Sequence, residues 1–111
     1  MTESDFQGKL VHSLRNCNAI VLAFAGSKFQ IPGIPDTYVA HSKWVGWIEF
    51  KGAKTKIDIK QTQLIKMLKY REVSAFIVRE PNIICDAQGA VITTFIEGSG
   101  NSLLDTLKRL P

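Results

Sequence analysis

Two carboxylates and a lysine are spaced along this sequence in a way that could hold a divalent metal against a phosphate. Asp36 follows Pro35, and Glu49 is separated from Lys51 by a single residue. Cations of the magnesium type take oxygen ligands, usually one or two carboxylates together with water and substrate phosphate. A neighbouring lysine adds a positive charge that can stabilise a transition state or help to activate an attacking water.

The strands predicted around these residues would bring the three side chains together. Residues 36–41 and 44–49 are predicted to form a hairpin in which Asp36 lies directly opposite Glu49. Opposed residues of an antiparallel pair have Cβ atoms about 4.5–5.5 Å apart, near enough to share one ion. Because side chains alternate along a strand, Lys51 is expected on the same face as Glu49. Two residues are expected on the other face, in a core: Ile48 and Phe50.

Each of the two acids also has an ordinary explanation. An aspartate after a proline is common in turns, so Asp36 alone indicates little. Glu49 is harder to explain, because the segment 44–50 around it is otherwise apolar apart from Gly46. A carboxylate in a central strand is costly unless it is paired or bound to a cation. An edge strand, or pairing with Lys51, would also accommodate it, but the three residues together favour a metal site.

Gln61 has two alternative roles at the start of a predicted helix. Asp58 and Gln61 fit a capping box, with Asp58 as the N-cap and Gln61 at the third helical position. In that role the cap would occupy the glutamine side chain. In the other role Gln61 would orient a water or contact a phosphate, and the sequence leaves both open. The apolar face of this helix continues to about Arg71 through Leu64, Ile65 and Leu68.

The remaining pattern predicts a mixed α/β fold. Apolar residues at helical spacing indicate a helix over 4–16, and the continuous apolar run 19–25 is typical of a buried strand. The connection from Glu49 to Arg79 is strand, helix, strand, which predicts a parallel crossover beside the antiparallel hairpin. The other expected elements are a strand over 74–79, a turn region over 82–89, a strand over 90–96 and a short last helix containing Leu103, Leu104 and Leu107.

Length and composition predict a single domain spanning residues 1–111. The chain is 45% hydrophobic, which is ordinary for a globular protein and argues against disorder. No apolar run approaches the roughly 20 residues of a membrane span, and the polar, acidic N-terminus does not resemble a signal peptide. Cys17 and Cys85 are expected as buried free thiols, so we expect an intracellular, cytoplasmic protein in a reducing compartment.

Positive charge is concentrated in the middle of the chain. The overall net charge is +4, but residues 41–71 contain eight Lys and Arg against Glu49 and Asp58, a local balance of +6. A basic segment beside two carboxylates suits a polyanion bound across a metal site. The alternative is a solvated lysine face that keeps the protein soluble. The expected nucleic-acid contacts are Ser27, Lys28, Lys43, Lys54, Lys56 and Lys60.

Several other residues have both a functional and an ordinary interpretation. Glu3 stands in the first turn of the first helix, where the helix dipole favours an acid in any case. Ser27 and Lys28 could reach a phosphate or could belong to a plain surface loop. Trp44 and Trp47 are on opposite faces of their strand, so at least one is expected in the core, and the other could stack on a sugar or base.

In this order the residues resemble the PD-(D/E)XK nuclease superfamily, and within it the small stand-alone VRR-Nuc domains. The family pattern is Gly-x-Pro-Asp, then Glu-x-Lys, then a glutamine that opens the next helix. Here it reads Gly33-Ile34-Pro35-Asp36, Glu49-Phe50-Lys51 and Gln61, and the resemblance covers residues 3–79. The opening Glu3-Ser4-Asp5-Phe6-Gln7 also resembles the family's first helix. The glycine that usually follows the second helix is replaced near Glu72-Val73, a departure that does not touch the chemistry.

The resemblance implies a restriction-endonuclease-like αβββαβ core, a central mixed sheet flanked by helices. It implies that Asp36 and Glu49 bind Mg²⁺ or Mn²⁺ with the backbone carbonyl of Phe50, and that Lys51 activates or positions water. Glu3 would complete the metal site and Gln61 would support it. Related Holliday-junction resolvases work as homodimers, so a homodimer is expected. Small free-standing copies are frequent in bacteriophages, which makes a phage origin, and then a location in the host cytoplasm, plausible.

Three functional hypotheses follow. The first is a metal-dependent DNA endonuclease, structure-selective for branched or junction DNA, that cleaves phosphodiester bonds with a metal-activated water. The second is a non-catalytic nucleic-acid-binding module that retains the nuclease fold and predicts salt-dependent DNA binding without a metal requirement. The third is a structural protein in which Asp36, Glu49 and Lys51 form a buried ion-pair network, so that Lys51→Met would be tolerated or stabilising.

Overall fold

Three helices and six strands make up the part of the chain that the structure, a computed structural model, describes, namely residues 1–24 and 31–111. The helices are α1 (Glu3–Asn16), α2 (Ile59–Tyr70) and α3 (Gly100–Lys108). The strands are β1 (Ile20–Ala23), β2 (Thr37–Ala40), β3 (Val45–Lys51), β4 (Ala75–Arg79), β5 (Ile83–Cys85) and β6 (Val91–Thr94). The expected mixed α/β class is therefore confirmed.

The strands form one sheet in the order β1-β2-β3-β4-β5-β6. All neighbours are antiparallel except β3 and β4, which are parallel and joined by α2. The predicted crossover from Glu49 to Arg79 is thus confirmed. In the β2–β3 hairpin Thr37 pairs with Ile48 and Ala40 with Val45, which is the predicted register. Continuing that register by one residue places Asp36 opposite Glu49.

A larger hydrophobic core, the main core, lies on the sheet face covered by α1 and α3. Alternate strand residues point into it, so the expected inward positions of Ile48 and Phe50 are confirmed, each with no exposed surface. Its buried members are Phe6, Leu10, Val11, Leu14, Ala19, Val21, Val39, Trp44, Ile48, Phe50, Phe76, Val78, Ile84, Phe95, Leu103, Leu104 and Leu107.

The opposite face of the sheet carries the minor core, beneath α2. Its buried members are Ile65, Ala75, Ile77, Cys85 and Ala87, with Trp47 among the partly buried residues packed against it. Trp44 and Trp47 therefore lie on opposite faces, as expected. Side chains at Glu49 and Lys51 share the face of this minor core, because Glu49 pairs with Ile77 across the parallel β3–β4 ladder.

Two predictions about individual strands are wrong. The run 19–25 is expected to form a buried strand, but β1 is an edge strand of the sheet, with Ile20 and Leu22 exposed. The segment 82–89 is expected from its sequence to be a turn region, but residues Ile83–Cys85 form β5 and pair with both β4 and β6. Three apolar residues between turn-forming neighbours are too short a run for periodicity to mark as a strand. The partners on both sides, rather than the local sequence, make this segment extended.

Helix α2 begins as the capping-box interpretation predicts. The Asp58 side chain accepts a hydrogen bond from the Lys60 backbone N–H at 2.6 Å, and the Gln61 side chain accepts one from the Asp58 backbone N–H at 3.1 Å. These bonds satisfy backbone donors that have no partner within the helix. They also fix the orientation of Gln61 at the end of the sheet where β3 finishes.

Candidate active site

The two candidate carboxylates meet at one end of the β2–β3 hairpin. The Asp36 backbone N–H donates a hydrogen bond to Glu49 Oε1 at 3.1 Å, and the nearby Phe50 backbone N–H lowers the pKa of the Asp36 carboxyl. Glu49 is only 6% exposed. The expected meeting of Asp36 and Glu49 across neighbouring strands is therefore what the hairpin produces.

The loop before Asp36 is held against the start of α2. Gly33 has a φ of +87°, a conformation that side chains disfavour, and a Cβ at this position would lie 2.5 Å from the Lys60 carbonyl oxygen. Only a glycine lets the loop approach the helix backbone this closely. The Gly33-Ile34-Pro35-Asp36 segment therefore carries Asp36 to the same place as Gln61.

The Gln61 side chain both caps helix α2 and contacts the site, because its amide oxygen and its amide nitrogen bond different partners. Its Oε1 accepts the capping hydrogen bond from Asp58, and its Nε2 donates to Glu49 Oε2 at 3.0 Å. The cap does not exclude a role at the site; it orients the amide toward Glu49. Both carboxylate oxygens of Glu49 are thus hydrogen-bonded, one to Asp36 and one to Gln61.

Lys51 extends from the same strand and face as Glu49. Its Nζ lies 3.8 Å from Glu49 Oε2, and the residue is only 7% exposed. A lysine is rarely this buried unless it is paired. The predicted convergence of two acids and one ammonium group is present in the structure.

Burial and the negative charge of neighbouring acids raise the pKa values of both carboxyls: Glu3 acts on Asp36 and on Glu49, and Asp36 also acts on Glu49. Burial raises the pKa of Asp36 to about 6, against the opposing effect of the Thr37 hydrogen bond. Burial and then the charge of Asp36 raise the pKa of Glu49 to about 7, although Lys51 acts in the opposite direction. Two carboxylates that burial and their neighbour both penalise would be stabilised by a dication between them.

The donor set fits a hard cation of the magnesium type. Within residues 1–24 and 31–111, no group of three or more His, Cys, Asp or Glu side chains is arranged to hold a metal ion. Cations such as Mg²⁺ or Mn²⁺ need only one or two carboxylates together with water and substrate oxygens, and the Asp36 and Glu49 pair would supply two. The Glu3 side chain instead accepts a hydrogen bond from the Gly52 backbone N–H at 3.0 Å. Its role as a metal ligand, and that of the Phe50 carbonyl, stay predictions.

The chain is similar to a Holliday junction resolvase. The solved structure of Hjc from the archaeal hyperthermophile Archaeoglobus fulgidus matches with a TM-score of 0.51 and 19% sequence identity. The match covers 68% of this chain and 65% of the resolvase, so this chain spans less than two thirds of the resolvase's length. No protein-family model and no curated protein sequence matches the chain.

At this identity the match shows the fold. The six-stranded mixed sheet with flanking helices matches the restriction-endonuclease-like fold of Hjc, as the sequence predicted. The assignment to the PD-(D/E)XK superfamily stays a prediction, and so does the assignment to the VRR-Nuc family within it.

The predicted nucleic-acid contacts do not all lie together. Lys54, Lys56 and Lys60 are exposed and lie just beyond the end of β3 or at the start of α2, within nine residues of Lys51 in the sequence. Lys43 lies beyond the other end of β3. The two ends of that strand, Val45 and Lys51, are roughly 20 Å apart at about 3.3 Å per residue. The Lys43 Nζ is 2.7 Å from Asp105 Oδ1 in α3, so this lysine does not join the site. Ser27 and Lys28 lie outside the described residues.

Three residues that sequence reasoning missed support the site. Thr37 donates a hydrogen bond to Asp36 Oδ1 at 2.8 Å and accepts one from Gln7 Nε2 at 3.2 Å. Arg79 Nη1 donates to the carbonyl oxygens of Gly52 and Thr55, both at 2.8 Å, and thereby holds the turn that follows Lys51. A signal for Arg79 is its position at the end of the strand predicted to pair with β3. Nothing local marks Gln7 or Thr37.

The remaining expectations concern cysteines and membranes. Cys17 and Cys85 are free thiols; Cys85 is fully buried, whereas Cys17 is only partly buried. In the part of the chain that the structure describes, no helix has both the length and the apolar character needed to cross a membrane.

Proposed function

We propose that this chain is a metal-dependent endonuclease that hydrolyses phosphodiester bonds in branched or junction DNA. The observation that carries the proposal is the cluster of partly buried Asp36 with buried Glu49 and Lys51 at one end of a resolvase-like sheet. The basic segment 41–71 supports a polyanionic substrate. Residues 1–111 would act as a single nuclease domain, in the cytoplasm of the cell or of a phage host.

Each residue of the cluster has a distinct task in this mechanism. Asp36 and Glu49 would hold Mg²⁺ or Mn²⁺, which when bound polarises the phosphate and acidifies a water molecule. Lys51 places a positive charge beside the same site, where negative charge grows on the phosphate oxygens in the transition state. Gln61 keeps the Glu49 carboxylate in one orientation through its hydrogen bond to Oε2. A homodimer would supply the two sites needed to cut two strands.

Cleavage by matched variants tests the proposal. Purified wild type, Glu49→Ala and the control Glu97→Ala are incubated with a four-way junction, a flap and linear duplex in the presence of Mn²⁺ or Mg²⁺. We expect wild type and Glu97→Ala to cut the junction, and Glu49→Ala to lose at least about 100-fold in rate. Equal cleavage by wild type and Glu49→Ala on every DNA would refute the proposed nuclease activity. Light scattering on the same protein measures whether it is a dimer.

A second candidate is a non-catalytic nucleic-acid-binding module with the same fold. It is favoured by the internal hydrogen bonds to both oxygens of Glu49, which a purely structural role would explain. Calorimetric titration with Mg²⁺ and Mn²⁺ separates the two. Heat of binding that disappears in Glu49→Ala supports the nuclease, whereas folded protein that binds DNA but releases no heat with either metal supports the module.

A further inference from the structure

A hydrogen-bond chain runs from helix α1 across β2 to the candidate metal ligand Asp36. Gln7 Nε2 donates to Thr37 Oγ1 at 3.2 Å, and Thr37 Oγ1 donates to Asp36 Oδ1 at 2.8 Å. Thr37 has no exposed surface. It pairs with Ile48 across the hairpin, so its side chain faces the main core and α1, whereas the site lies on the other face.

The direction of this chain follows from the number of protons on each group. A threonine hydroxyl has one proton and two acceptor lone pairs. Because an ionised carboxylate can only accept, the Thr37 proton must point to Asp36, and the group on the other side of the hydroxyl must be a donor. The amide NH₂ of Gln7 supplies that donor, so Gln7 fixes the hydroxyl and the hydroxyl fixes the carboxylate.

Helix α1 is well placed for this task because it contacts both strands that carry the acids. Gln7 lies one helical turn after Glu3, so the two side chains share a face of α1. Glu3 accepts a hydrogen bond from the Gly52 backbone N–H, at the end of β3, while Gln7 contacts Thr37 at the start of β2. The helix thereby sets the relative position of the two strands at the site.

We propose that Thr37 and Gln7 are positioning residues, which hold the Asp36 carboxylate in the single orientation that metal binding needs. This rests on the proposed function for its catalytic consequence, but the claim about the Asp36 side chain stands separately from it. Groups that orient a metal ligand in this way typically change metal affinity by about 10–100-fold when removed.

The first test measures the Asp36 side chain directly in metal-free protein. Three-bond Hα–Hβ couplings from NMR report whether its χ1 angle has one rotamer or several. We expect one rotamer in wild type and in Thr37→Ser, which keeps the hydroxyl, but averaged couplings in Thr37→Val and Gln7→Leu. Thr106→Val is the control, since it removes another buried hydroxyl, bonded to the Ser102 carbonyl oxygen in α3.

The second test measures Mn²⁺ binding by calorimetry in the same proteins. Thr37→Val should bind Mn²⁺ about 10–100-fold more weakly, and the double variant with Gln7→Leu no more weakly than Thr37→Val alone, because the two groups act in series. Thr37→Ser and Thr106→Val should bind as wild type does. Thermal melting confirms that each variant is folded.

The outcomes separate this inference from the proposed function. Several Asp36 rotamers in wild type, one rotamer in folded Thr37→Val, or Thr37→Ser behaving like Thr37→Val would overturn the positioning role. If Thr37→Val does not fold, the Asp36 couplings and the Mn²⁺ affinity of Gln7→Leu decide between the same outcomes. If the couplings change as expected but wild type neither binds Mn²⁺ nor cuts DNA, the orientation of Asp36 is upheld and the nuclease is refuted.

Discussion

The two faces of the sheet differ in how they use their residues. Among the described residues, seventeen buried side chains form the main core beneath α1 and α3, but only five form the minor core beneath α2. The face with the smaller core also carries Glu49 and Lys51, which are buried and charged. One face therefore supplies stability, and the other accepts groups that cost stability, as the proposed metal site would require.

A matched pair of truncations gives the largest expected effect and tests this difference. Ile84 in β5 belongs to the main core and Ile77 in β4 to the minor core, and neither has exposed surface. Replacing a buried isoleucine with alanine typically lowers the free energy of unfolding by about 2–5 kcal/mol. We expect Ile84→Ala near the top of this range and Ile77→Ala near the bottom, because a smaller core can relax around the missing atoms.

Urea unfolding of both variants measures the two losses of unfolding free energy. Equal losses, or a larger loss for Ile77→Ala, would mean that the two faces contribute alike and that the contrast between them is not energetic.

Glu49→Gln should raise the free energy of unfolding and abolish DNA cleavage. Glu49 has a pKa of about 7, against an ordinary 4.5, so ionising it in the fold costs up to about 3 kcal/mol at pH 8, at 1.36 kcal/mol per pKa unit. The amide needs no ionisation and can still accept the hydrogen bond from Asp36, but its NH₂ then faces the Gln61 Nε2 donor, so the gain should be smaller than the full cost of ionisation. We expect metal-free Glu49→Gln to unfold at a higher urea concentration than wild type at pH 8, and to lose cleavage.

The same comparison at pH 4 provides the control for that gain. Below the ordinary pKa the glutamate is protonated in both the folded and unfolded states, so the advantage of glutamine should largely vanish. A stability gain that persists unchanged at pH 4 would trace to something other than the buried charge.

The wild-type protein without metal should lose stability as pH rises. Asp36 and Glu49 have folded-state pKa values near 6 and 7, above their ordinary 3.8 and 4.5, so the folded state binds more protons than the unfolded state between about pH 4 and 7. The free energy of unfolding therefore falls across that interval. We expect a fall of more than about 3 kcal/mol, the cost of Glu49 alone, but less than the roughly 6 kcal/mol that the two shifts would give separately, because the acids interact.

Melting temperatures recorded from pH 4 to pH 8, with and without Mn²⁺, check this dependence. Saturating Mn²⁺ should remove the decline at high pH, because it binds only the deprotonated pair. A flat metal-free profile would show that the site is not strained by its carboxylates.

The smallest expected effect concerns the lysines at the two ends of β3. Replacing Lys54 and Lys56 with alanine should lower the slope of log affinity against log salt by about 1.8, or about 0.9 for each duplex phosphate that a lysine no longer neutralises. Lys43 is the matched control, since it is paired with Asp105 at the other end of the strand. Fluorescence anisotropy with junction DNA at several salt concentrations measures both slopes, and a larger change from Lys43→Ala would move the DNA to the opposite end of the sheet.

The sequence predicted the local parts of this molecule better than the contacts between distant parts. The β2–β3 register followed from alternation and a short turn, and it correctly brought Asp36 to Glu49. The start of α2 followed from its capping box. These features depend on residues close together in the chain, where periodicity and cap chemistry act directly.

The missed features depend on residues far apart in the chain. β5 is a three-residue strand that exists because β4 and β6 lie beside it. Gln7 and Thr37 are thirty positions apart and meet only when α1 packs on the sheet. Gln61 has two alternative roles in the sequence because a sequence cannot show that one amide bonds the cap with its oxygen and Glu49 with its nitrogen.

The Gln61 amide couples local motion of the helix cap to the site, because its oxygen bonds the cap and its nitrogen bonds Glu49. Fraying of the first turn of α2 would release the cap and the Gln61 hydrogen bond to Glu49 Oε2 in one event, since a single side chain makes both contacts. The Asp58 amide proton, which the Gln61 oxygen protects, should consequently exchange with solvent more slowly when a cation holds Glu49 and, through it, Gln61 in place.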